Sequence, residues 1–246
     1  MADLISISSA PIAELGGRKY YDLLGTLEVM KRIFREEVIN GFELQLEPEW
    51  DDENPPLTDR QFADWTITPK YNVDEILAIL CKEKLPILSV HASRDIGNYL
   101  CSGLDRDLKK GKRIIYDSLW LADKLGAAVC VFHIWDTRKN SFDVNNLCKI
   151  LSDITIQFPN VKSSVENVPT HLKGCTPFSL VNFFDYVTLD LRWASLYDEL
   201  DAFESIVGRI VNVHLRGKLE GDKWTLDNSS LGFYESFDKI KRWKYV

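Results

Sequence analysis

What most constrains the fold of this chain is an alternation of two kinds of segment. Short runs rich in β-branched and apolar residues recur at "LISISS" (4–9), "GFELQL" (41–46), "PILSVH" (86–91), "AVCVFH" (128–133), "VKSSVE" (161–166), "YVTLDL" (186–191) and "IVNVHL" (210–215). "WKYV" (243–246) reads as an eighth. Continuous runs of this sort mark parallel strands buried on both faces. Helical patterns fill the gaps. Leu27, Met30, Ile33 and Phe34 share one face of 26–38. Segment 72–84 opens on Asn72 with acids in its first turn and closes on lysines. Segment 108–126 ends on Gly126, a C-cap signal. Segments 143–158, 195–207 (with Ser195 as its cap) and 233–243 also read as helices, and 176–184 has room for a short one.

Strand–helix alternation with eight strand candidates predicts an α/β fold with a parallel sheet. Eight units of about thirty residues match a (β/α)8 barrel, whose usual length is about 250 residues. A doubly wound sheet binding a dinucleotide would need a glycine-rich turn after its first strand. "ELGGRKYYDLLG" offers only Gly16 and Gly17 there. No linker or shift of composition divides the chain, so residues 1–246 read as one domain. The stretch 47–71, with Pro55, Pro56, several acids, Trp50 and Trp65, reads as a long loop, either a lid or a solvated insertion.

Composition narrows the function classes. The net charge of −7 disfavours a broad nucleic-acid footprint, which calls for a basic face. Five cysteines, odd in number and with no CxxC pair, point to a reducing compartment and away from a disulfide framework or a cysteine zinc ribbon. No run is long enough for a membrane span, and the first residues lack a basic region followed by an apolar one. The expectation is a cytoplasmic protein.

In a (β/α)8 barrel the active site lies at the C-terminal ends of the strands. Five consecutive runs end in His91, His133, Glu166, Asp190 and His214, so three of only four histidines lie at strand ends. Imidazole and carboxylate together suit Zn²⁺, Mn²⁺ or Fe²⁺. Each residue alone has a plainer explanation, such as a backbone hydrogen bond or a helix cap. The five together predict a metal or catalytic cluster, because unpaired buried carboxylates cost several kcal/mol. Arg94 and Arg216 are candidates to hold a substrate phosphate or carboxylate. Trp135 and Trp193 are candidate walls for a sugar ring or, alternatively, packing residues. His171 reads as a surface loop residue.

The motifs "SVHAS", "DKLGAAVCVFHIW", "SSVENVP", "VTLDLRWAS" and "IVNVHLRG", in that order, resemble the xylose isomerase-like TIM-barrel superfamily over residues 85–217. That group includes sugar phosphate isomerases/epimerases and endonuclease IV-type AP endonucleases. The resemblance implies metal ligands at His91, His133, Glu166, Asp190 and His214, with Glu166 also the catalytic base, and a divalent ion, zinc or manganese, as cofactor. It implies a metal-dependent isomerase or epimerase acting on a small hydroxy-carbonyl compound, a sugar or sugar derivative. Two alternatives are a divalent-metal phosphodiesterase and a non-catalytic barrel with a degenerate site. The chain departs from the family pattern at three points. Trp193 and Trp224 stand where the family has histidines of a third zinc site, and no eighth-strand glutamate is present. A short eighth unit would leave a sheet edge exposed, and a homodimer through that edge is expected.

Overall fold

The computed structural model describes residues 4–10, 12, 17, 19–56, 59–215, 217–220, 223–226 and 233–243. Its main sheet has seven strands in chain order: β1 (Ser6–Ser8), β2 (Gly41–Gln45), β3 (Ile87–His91), β4 (Val129–Phe132), β5 (Lys162–Glu166), β6 (Tyr186–Asp190) and β7 (Ile210–His214). All seven fall within the runs picked out from the sequence. β8 (Gly217–Glu220) and β9 (Lys223–Leu226) form a separate antiparallel hairpin. The helices are α1 (Leu23–Glu36), α2 (Asp59–Ile67), α3 (Val73–Glu83), α4 (Ile96–Leu100), α5 (Asp105–Leu125), α6 (Val144–Thr155), α7 (Pro177–Val181), α8 (Leu191–Leu196) and α9 (Phe233–Trp243). Strand–helix alternation in sequence order is the pattern of a (β/α)8 barrel with an incomplete eighth unit.

The chain packs as two compact units. The first comprises residues 1–93, 113–130 and 154–161; the second comprises 94–112, 131–153 and 162–246.

In the first unit, β1, β2 and β3 pair in parallel. Phe42, Leu44 and Val90 lie on one sheet face and are fully buried, as are Leu27 and Met30 of α1. Asp22 caps α1 by accepting from the Gly25 N–H. Asn72 caps α3 through a complete capping box with Glu75, as the Asn and the acidic first turn predict. The opposite sheet face is polar. Register places Ser8 beside Glu43, Glu43 beside Ser89, and Gln45 beside His91.

One sequence expectation fails in the first unit. Residues 47–71 are not an open loop: they contain a 3₁₀ turn (Pro48–Trp50) and α2. The segment is tied down at several points. The Trp65 Nε1–H donates to the Glu49 carbonyl at 2.7 Å, and the Tyr71 N–H donates to the Trp50 carbonyl at 2.7 Å. The Lys70 ammonium donates to the carbonyls of Trp65 and Thr68 at the end of α2 and lies 4.6 Å from the Trp65 ring centroid. Trp50 is buried. Adjacent prolines and surface acids hid a helix whose apolar face is short.

In the second unit, β5, β6 and β7 pair in parallel. Val165, Val187 and Leu189 fill one face, and Leu180, Val181 and Phe203 are buried in the same unit. The rings of Phe178 and Phe203 meet edge to face at 5.1 Å. Here too the expectations need correcting. The 195–207 segment is not one helix capped by Ser195. Asp190 caps α8 from one residue earlier, and a 3₁₀ segment, Leu200–Arg209, follows. The expected eighth strand at 243–246 does not include Trp243, which ends α9; residues 244–246 lie outside the described residues. Among the described residues no helix is long and apolar enough to cross a membrane.

Candidate active site at the strand ends

The inward polar residues of the second unit fall into two layers, because successive strand residues point to opposite faces. Register puts Glu166 beside Thr188, Thr188 beside Asn212, and Asp190 beside His214. Ser164, Thr188 and Asn212 therefore share a face with Glu166, Asp190 and His214. The Ser164 and Thr188 hydroxyls are hydrogen-bonded at 2.7 Å, with both residues fully buried. This hydroxyl bond pins β5 to β6 directly below the strand ends.

Glu166 is the centre of the cluster. It ends β5 and is only 3% exposed. Nε2 of His133, one residue beyond β4, lies 3.0 Å from its Oε2. Nδ1 of His214, at the end of β7, lies 3.1 Å from the same oxygen. Nε2 of His214 is 3.2 Å from the Asn212 amide nitrogen, so an amide N–H donated there puts the imidazole proton on Nδ1, facing Glu166. Burial would push the Glu166 carboxyl up. The charges and hydrogen bonds of His133 and His214 win, and hold it well below the usual carboxylate range.

Asp190 behaves in the opposite way. Burial pushes its carboxyl up, the nearby Glu166 charge adds to this, and the result is about 6 despite His214 and the backbone N–H groups of Trp193 and Arg192. Its Oδ1 accepts from the Trp193 N–H at 3.2 Å, which caps α8. Two buried carboxylates so close together favour a cation between them. Two imidazoles and two carboxylates are donor types that zinc, manganese and iron accept, so the side chains present fit a divalent ion.

The remaining sequence candidates are placed as follows. His91 ends β3 in the first unit and is buried. Its Nδ1 contacts the Ala92 carbonyl at 2.8 Å, and the Gln45 amide donates to the same carbonyl at 3.1 Å. Arg94 is exposed. Trp135 is 2% exposed, and its indole N–H donates to the Pro169 carbonyl at 3.0 Å, joining the loops after β4 and β5. Trp193 is half-buried, with the Arg192 guanidinium 4.7 Å from its ring centroid. Trp224 lies on β9 opposite Leu219, and Arg216 lies outside the described residues. His171 is exposed, as expected, with Nδ1 2.6 Å from the Thr137 carbonyl.

Three polar residues near the strand ends escaped the sequence reading. Glu43 is buried and accepts from the Ser89 hydroxyl at 3.0 Å. Gln45 supports the backbone beside His91. Asn167 is fully buried, and its side-chain amide bonds both backbone groups of Asp190. Only Asn167 carried a readable signal, as the residue next to Glu166 in "SSVENVP".

Comparison with solved structures agrees with this architecture. The chain is similar to an L-ribulose 3-epimerase (15% identity, 99% of this chain and 79% of that one, TM-score 0.66). It is similar to a D-allulose 3-epimerase from Methylomonas sp. in complex with D-allulose (13% identity, 99% and 82%, TM-score 0.63). A xylose isomerase domain protein from Planctomyces limnophilus also aligns (12% identity, 89% and 82%, TM-score 0.56). No protein-family model and no curated protein sequence matches the chain. The fold is therefore that of the xylose isomerase-like TIM barrels.

Proposed function

We propose that this protein is a metal-dependent isomerase or epimerase acting on a small hydroxy-carbonyl substrate, a sugar or sugar derivative. One observation carries the reading: two strand-end imidazoles converge on one oxygen of a buried carboxylate, Glu166, in a barrel shared with ketose epimerases. We take Glu166, His133 and His214 as the donor group for the ion, with Asp190 and, from the sequence pattern, His91 as further ligands. A ring held through Nδ1, as His91 is, offers Nε2 to a metal.

A bound divalent ion supplies Lewis-acid polarisation of a substrate carbonyl. The chain's own part is distinct. Glu166, kept ionised by its imidazole neighbours, is a ligand and the candidate base for a carbon-bound proton. Asp190 adds a second buried carboxylate beside Glu166. We take Arg94, Trp193 and Arg216 as contacts to the polar and apolar faces of a sugar. Trp135 we assign to the wall behind them, because its N–H holds the loop after β5.

The test uses metal-stripped protein reloaded with Mn²⁺ or Zn²⁺ and incubated with L-ribulose, D-allulose and D-tagatose, with epimers resolved by chromatography. Turnover that disappears in Glu166→Gln supports the reading. Equal turnover in Glu166→Gln removes Glu166 from the chemistry.

A further inference from the structure

Parallel strands β5 and β6 are paired up to Glu166 and Thr188. Beyond that point the backbone of β5 turns away, with the Val168 N–H donating to the Glu166 carbonyl at 2.8 Å. Asp190 would therefore project past the end of its neighbour. Asn167 supplies what is missing. Its Oδ1 accepts from the Asp190 N–H at 2.6 Å, and its Nδ2 donates to the Asp190 carbonyl at 3.1 Å. A single primary amide, fully buried, thus stands in for one further rung of the ladder.

The amide is well suited to this task. It offers a donor and an acceptor on one carbon, matching a backbone N–H and C=O. A carboxylate would turn an acceptor toward the Asp190 carbonyl, and an apolar group would leave two buried backbone groups unsatisfied. The hold fixes Asp190 at φ −86°, ψ 114°. That backbone geometry sets its side chain on the same face as Glu166 and His214, with Oδ1 at the head of α8. Asn167 is adjacent in sequence to Glu166, so one dipeptide provides the central carboxylate and the clamp on its partner.

We infer that Asn167 is a positioning residue for the metal site: its side-chain amide holds the backbone of Asp190 so that the Asp190 carboxylate faces Glu166 and His214. This rests on the metal-site reading above. Groups that orient first ligands typically change metal affinity by about 10–100-fold when removed.

The test is calorimetric titration of metal-stripped wild-type, Asn167→Ala and Ser164→Ala proteins with Mn²⁺ and Zn²⁺. Ser164→Ala breaks the hydroxyl bond between the same two strands, one layer below, without touching Asp190. It therefore reports what mere loosening of the strand pair does. The expected result is a loss of about 10–100-fold in affinity for Asn167→Ala and a change within about twofold for Ser164→Ala. Equal affinity in wild type and Asn167→Ala overturns this inference alone. A wild-type protein that takes up neither ion overturns the reading of the site, and this inference with it. If Asn167→Ala does not fold, amide hydrogen exchange in the metal-free wild type decides. Protection of the Asp190 amide as strong as that of Thr188 supports the clamp, and exchange at the rate of an open loop overturns it.

Discussion

Asp190→Asn should make the metal-free protein more stable at neutral pH, although it removes a candidate ligand. The Asp190 carboxyl ionises at about 6 instead of the ordinary 3.8, chiefly because it is buried and secondly because Glu166 is charged beside it. At about 1.4 kcal/mol per pH unit, this gap corresponds to about 3 kcal/mol of strain when both carboxylates are ionised. The sign follows from proton binding. Between pH 3.8 and about 6 the folded state holds a proton that the unfolded state has released, so stability falls as pH rises through that window. Above about 6 the full penalty is in place. Asparagine carries no charge and still offers an oxygen to the Trp193 N–H, so the cap on α8 survives. For a chain of this length the difference amounts to about 6–12 °C in Tm. The assay is thermal melting of both proteins in EDTA at pH 4, 5, 6 and 7.5. The variant should melt higher at pH 7.5, with the margin shrinking toward pH 4. Saturating Mn²⁺ should reverse the order, because the ion relieves the strain in the wild type. A variant that melts lower than wild type at pH 7.5 in EDTA refutes the argument.

Three further outcomes follow from other parts of the molecule. A Cβ at Gly97 would stand 2.1 Å from the Trp135 carbonyl oxygen, so Gly97→Ala should destabilise by about 1–3 kcal/mol in urea titration, and an unchanged midpoint would contradict the packing of α4. Cys81 is exposed, while the Cys130 thiol is fully buried and pushed well up by burial and by Glu43; a thiol reagent should therefore label Cys81 within minutes and Cys130 only on unfolding. With Trp193 and Trp224 replacing histidines of the phosphodiesterase pattern, zinc-loaded protein should leave abasic DNA uncut, and cleavage lost in Glu166→Ala would favour the phosphodiesterase alternative.

Strand positions were legible because buried parallel strands need unbroken apolar runs. Six of the seven strands of the main sheet begin and end within one residue of the runs at 41–46, 86–91, 128–133, 161–166, 186–191 and 210–215. The strand ends were equally readable, since a histidine or acid closing an apolar run has few packing roles. Less legible were segments governed by tertiary hydrogen bonds. The 47–71 segment folds because Trp65 and Lys70 find main-chain carbonyls, a fact no local pattern carries. The 195–207 pattern is divided because α8 starts early at the Asp190 cap and ends before Asp198, whose φ is 54°. The hairpin of β8 and β9 did have a sequence signal, the pair Gly-Asp between two strand-like tetrapeptides. Gln45 was invisible because supporting residues are defined by whose backbone they hold.

The central claim is that a cluster built on Glu166 holds a divalent ion. Its most direct test is elemental analysis of the protein purified without chelator, compared with Glu166→Ala made in the same way and shown to be folded by circular dichroism. The account predicts close to one equivalent of a transition metal in the wild type and little in the variant. Wild-type protein that contains no metal, and takes up none from millimolar Mn²⁺ or Zn²⁺, would contradict it.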